Sequence, residues 1–126
     1  MPISLPDTNR LKIFTWHIHG TYLYYLSQGD FTIYIPVDDS GSEGYYGRGK
    51  TFPFSGNVIE IPAREVKHMD FDCILFQSPK NFLVDQYEIL SGEQRKLPAI
   101  YLEHNPPLEQ PTDTRHPMND PNVVMV

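Results

Sequence analysis

Six short apolar runs, each closed by Gly, Pro or polar residues, constrain this chain more than any other feature. They are LKIFTW (11–16), FTIYIPV (31–37), VIEI (58–61), DCILFQ (72–77), AIYLE (99–103) and NVVMV (122–126). Each is four to seven residues long and rich in β-branched or aromatic side chains, the composition of a strand. Several run apolar without alternation, as strands do when both of their faces are covered. Helical patterns or long crossovers separate them, so the expected fold is α/β: a Rossmann-like, mainly parallel sheet of about six strands with flanking helices.

Two helices are expected between the strands. In TYLYYLSQ, Tyr22, Leu23 and Leu26 fall at helical spacing and Gly29 ends the run. A hairpin into 31–37 is the rival, because Tyr is also a good strand former. In PKNFLVDQYEILSG, Ser78 fits the cap and Pro79 the first turn. Phe82, Leu83, Gln86, Ile89 and Leu90 form one apolar face, and Gly92 ends the helix. Residues 1–10 read as a polar lead and 11–126 as one domain, which the length of 126 residues suits. The closing NVVMV has the pattern of a buried central strand, so we expect a fragment cut before a second, C-terminal domain.

Composition removes several function classes. The net charge is -6 and the ten basic residues are scattered, which leaves no footprint for a nucleic-acid partner. No apolar run approaches the length of a transmembrane segment, and the first fifteen residues lack a secretion signal. The one cysteine, Cys73, excludes an internal disulfide and suits a cytoplasmic protein.

Three patterns invite a chemical reading. GYYGRGKT (44–51) matches the phosphate-loop pattern, but that loop needs a strand immediately before it and a helix immediately after. Here FPFSGN follows, so a Gly-rich loop is expected instead. His17 and His19, with His104 after the fifth strand, resemble a zinc ligand set for a metal-dependent hydrolase. No carboxylate accompanies the pair, so we expect no metal, and the histidines read as hydrogen-bonding residues of a pocket rim. The third pattern is positional. Parallel sheets bind ligands beyond the carboxyl ends of their strands, where the strand order reverses. If the first and fourth strands flank that point, His17, His19, Gly20 and Ser78 line one rim, with His104 and Asn105 following the fifth strand. The glycine lacks the G-x-G-x-x-G context of a dinucleotide site, so no nicotinamide or other cofactor is expected.

Four blocks in order, LKIFTWHIHGTYLYYLSQ, NVIEIPAREV after Phe52-Pro53-Phe54, DCILFQSPKNFLVDQ, and LPAIYLEHNPP followed by PTDTRHP, resemble the N-terminal domain of bacterial GT-B glycosyltransferases of the retaining, nucleotide-sugar-using kind. The resemblance implies a nucleotide-sugar donor and a saccharide, lipid or small-molecule acceptor, with this domain on the acceptor side. It implies that Gly20 approaches the donor diphosphate and that His104 is the catalytic residue near the transferred sugar. His17, His19, Ser78 and Asn105 would bind substrate. The second domain, which holds most of the donor in such enzymes, has no counterpart in these residues. A non-catalytic α/β interaction module is the alternative.

Overall fold

The computed structural model describes residues 10–102 and 123–125. Six strands form one sheet: β1 (Leu11–Phe14), β2 (Phe31–Val37), β3 (Val58–Pro62), β4 (Cys73–Phe76), β5 (Ala99–Tyr101) and β6 (Val123–Met125). The order across it is β3-β2-β1-β4-β5-β6 and every neighbouring pair is parallel. This is a Rossmann-like, doubly wound sheet whose strand order reverses between β1 and β4. The run over 20–28 resolves as helix α1 (Gly20–Leu26), and the parallel pairing of β1 with β2 removes the hairpin. β1 and β4 are shorter than their apolar runs: Thr15 and Trp16 continue past β1, and Gln77 past β4.

The side-chain period of a strand sorts the apolar residues onto two faces. Ile33 and Ile35 of β2 face α1 and form a cluster with Leu23, Phe54 and Val58. In-register neighbours Phe14, Tyr34 and Ile74 lie on the other face, with Phe76, Ala99 and Tyr101. There Phe14 meets Trp16 edge-on at 4.9 Å and Phe71 at 5.0 Å, while Phe76 stacks on Trp16 at 5.8 Å, favourable ring geometries.

The connection after β4 departs from the simple amphipathic expectation. A π-helical turn (Asn81–Asp85) precedes α2 (Gln86–Ile89). The wider turn adds a residue to the cycle and rotates the face. Phe82, Gln86 and Leu90 are buried as expected, whereas Leu83 is exposed, and the polar Asn81 and Asp85 are buried. The Asn81 N–H donates to Ser78 Oγ at 3.2 Å, so Ser78 caps as its sequence position suggests. Phe82 and Leu90 pack on the face opposite α1. The segments leaving β1 and β4 thus diverge to opposite sides of the sheet, the place at which a parallel sheet forms its ligand crevice.

Candidate functional site

Two short segments bound this crevice, one at the end of β1 and one at the end of β4. Thr15 is buried, and its Oγ1 donates to Leu75 O at 2.8 Å, tying the two strands together just short of the rim. Gln77 reinforces the tie: its Nε2 donates to Thr15 Oγ1 and to Trp16 O, both at 2.8 Å. The Trp16 carbonyl can only accept, which fixes the orientation of the amide. Gln77 Oε1 is then left buried with no hydrogen-bond partner. A buried acceptor without a partner costs on the order of 1 kcal/mol or more, and this one sits where the strand order reverses.

His17 and His19 leave β1 in succession. The His17 ring packs edge-on against Phe54 at 5.4 Å, and its Nδ1 lies 2.5 Å from Gly47 O. Because the carbonyl can only accept, Nδ1 carries a proton, and Nε2 is the ring nitrogen left free of this contact. His19 is exposed and precedes α1. At Gly20 the absence of a side chain serves a protein contact: a Cβ there would run into the Phe52 ring and lie 3.2 Å from His17 Nε2. Gly20 therefore admits Phe52 to the start of α1. For a diphosphate to reach this glycine along the same approach, Phe52 has to move.

The β4 side is built from charge and amide groups. Asp85 is fully buried, and its carboxylate accepts from Lys80 Nζ at 2.7 Å and Asn81 Nδ2 at 2.9 Å. Asn81 Oδ1 in turn accepts from the Gln77 N–H at 3.2 Å. Tyr45 reaches in from the Gly-rich loop. Its phenol oxygen accepts from Trp16 Nε1 at 3.4 Å, and Lys80 Nζ lies 5.1 Å from the centre of its ring. Burial pushes the Tyr45 phenol well above its ordinary value; the Trp16 hydrogen bond opposes this, and the charge and hydrogen bonding of Asp85 add to it. The phenol thus stays protonated.

The Gly-rich loop is not a phosphate loop. Gly44, Gly47 and Gly49 all have positive φ, Lys50 is exposed, and the chain after Thr51 runs without a helix into β3. Arg48 is a tie rather than an anion ligand: its guanidinium donates to the carbonyls of Phe54, Ser55 and Val58, and its N–H donates to Glu60 at 2.8 Å.

Of the rim residues expected from sequence, His17, His19, Gly20 and Ser78 follow β1 and β4 at the same end of the parallel sheet. His104 and Asn105 lie outside the described residues. Among the described residues no group of three or more His, Cys, Asp or Glu side chains is placed to hold a metal. The third histidine of the zinc reading, His104, is outside that set. Sequence reasoning missed Tyr45, Gln77, Lys80, Asn81 and Asp85. Asn81 and Asp85 at i and i+4 carried a usable signal, a helical amide–carboxylate pair, but polar residues on a helix ordinarily face water. Among the described residues no helix is long and apolar enough to cross a membrane. Comparison with protein-family models, with curated proteins and with solved structures finds no match.

Proposed function

We propose that this chain is the acceptor-side, Rossmann-like half of a cytoplasmic, sugar-nucleotide-dependent glycosyltransferase, with its ligand at the carboxyl ends of β1 and β4. The observation that carries the reading is the coincidence of two facts. Two of the sequence blocks that resemble such enzymes, LKIFTWHIHGTYLYYLSQ and DCILFQSPKNFLVDQ, are the two segments that flank the reversal of strand order. On this reading His17 Nε2 accepts a hydrogen bond from an acceptor hydroxyl, Ser78 lines the opposite wall, and His104 and Asn105 approach the transferred sugar from the end of β5. The donor, a nucleotide sugar, is completed by a second domain. This half supplies position, and transfer needs both substrates held together while charge develops on the departing diphosphate.

Titration of the isotope-labelled chain with UDP-glucose, GDP-mannose and simple glycosides, followed by backbone NMR, tests this. The expected shifts concentrate at residues 15–20 and 77–81, and His17→Ala weakens binding about tenfold, roughly 1.4 kcal/mol. No shift at either segment with any of these ligands overturns the reading. The interaction module stays as a second reading because Ile100 and Val124, in register on one face of β5 and β6, are 37% and 62% exposed. It calls for a protein partner that shifts β5 and β6 and leaves the rim unchanged.

A further inference from the structure

The 38–57 loop lies across the end of β1 that the site requires to be open. Gly44 forms an antiparallel bridge with His17, and Tyr46 forms one with Val37. Gly47 O engages the His17 ring, and Lys80 Nζ reaches Glu43 O at 3.4 Å. These contacts divide the loop in two. From Arg48 onward it is bound to β3 and its approach by four hydrogen bonds, to Phe54, Ser55, Val58 and Glu60. Before Arg48 lies a strap, residues 41–47, with a positive-φ glycine at each end, Gly41 at 72° and Gly47 at 76°. Nothing lies within 4 Å of where a Gly41 side chain would start, so that end of the strap is unpacked.

One side chain of the strap is buried in the core. Tyr45 is 4% exposed and packs in the aromatic cluster, whereas Tyr46 beside it is 64% exposed. Tyr45 also joins the two walls of the crevice, touching Trp16 from the β1 side and Lys80 from the β4 side. We propose that residues 41–47 are a latched strap over the β1 end of the crevice, with Tyr45 as the latch, and that the strap opens between Gly41 and Gly47 without unfolding the sheet. Opening releases His17 Nδ1 from Gly47 and uncovers Trp16. That the uncovered space takes a ligand rests on the reading above; that the strap opens does not, and the experiment reads the opening alone.

Local opening makes the amides of a segment exchange faster than those of the surrounding core. The Tyr45 N–H donates to Ser42 O and the Asp38 N–H to Tyr45 O, both closed by the strap, while the Thr15 N–H donates to Tyr34 O inside the sheet. Hydrogen exchange on the free chain should show the Tyr45 and Asp38 amides at least about a hundredfold faster than Thr15. Tyr45→Phe keeps the ring and loses the hydroxyl with its hydrogen bonding to Trp16 and Asp85, so it should speed those two amides at least about tenfold and leave Thr15 unchanged. Trp16 is the only tryptophan of the chain and is fully buried, so its fluorescence reports the same event. Acrylamide should quench it more strongly in Tyr45→Phe than in the parent. The inference is overturned if the strap amides exchange at the rate of Thr15, or if Tyr45→Phe moves all three together, because the strap is then a fixed wall of the fold.

Discussion

The two walls of the crevice occupy equivalent places in the topology, yet they are built by different physics. The β1 wall is shaped by close approach: Phe52 on Gly20, Phe54 on the edge of His17, and the Gly47 carbonyl against the His17 ring. The β4 wall is a network of buried polar groups, Asp85 with Lys80 and Asn81, and Asn81 with Gln77. The first fails when volume is added and the second when a partner is removed. Tyr45 packs against both, touching Trp16 on one side and Lys80 on the other.

The largest effect is expected on the β4 wall. Asp85→Ala leaves Asn81 unsatisfied in the interior and strips Lys80 of its counter-charge. Because Lys80 is 38% exposed and can turn to water, the cost should be about 2–4 kcal/mol rather than the full penalty of a stranded buried charge. Urea denaturation measures it, and a change below 1 kcal/mol would show that the network adds little beyond its shape. Asp85→Asn, which keeps the volume and one acceptor oxygen, should cost less.

Gly47→Ala tests the other wall almost as severely. The backbone at φ 76° disfavours any side chain, and the new Cβ would meet the Glu60 carboxylate and Val37. A loss of about 2–3 kcal/mol combines the left-handed backbone with overpacking. A neutral result would mean that the loop relaxes freely at this point and that the β1 wall is not volume-limited.

Gly20→Ala is milder. Gly20 is already helical, so the Phe52 ring has to shift and His17 to give slightly, and about 1 kcal/mol is expected. Combined with Phe52→Ala, which makes room, the substitution should cost little more than Phe52→Ala alone, and a double-mutant cycle reads that coupling. Additive effects would show that Gly20 is there for something other than Phe52.

Lys50→Ala should do least. Its side chain is exposed and no helix follows the loop, so stability should change by less than about 0.5 kcal/mol. ATP and Mg²⁺ should bind the variant and the parent alike in a calorimetric titration. A tenfold loss, roughly 1.4 kcal/mol, would restore the phosphate-loop reading.

Much of the fold was legible in the residues. The runs 31–37 and 58–61 became β2 and β3 nearly unchanged, and the Tyr22, Leu23, Leu26 spacing gave α1, because periodicity and turn residues act within a few positions. The rim was legible only through the rule that ligands gather where strand order reverses, with the reversal itself assumed. The polar wall was not legible. Burying Asn81 and Asp85 depends on the π turn and on Lys80 and Gln77 being ready to pair with them. A helix read by its apolar face treats such residues as solvent-facing.

By itself, then, the sequence determined which segments are strands, that both faces of several are covered, and that GYYGRGKT leads into no helix. The strand order, the use of Gly20 to seat Phe52, and the joining of the two walls by Tyr45 were decided by the tertiary structure. The reason is distance along the chain. Trp16 and Tyr45 are 29 residues apart and Thr15 and Gln77 are 62 apart, so no local pattern of hydrophobicity or turn chemistry encodes their meeting. Only the packed sheet brings them within reach.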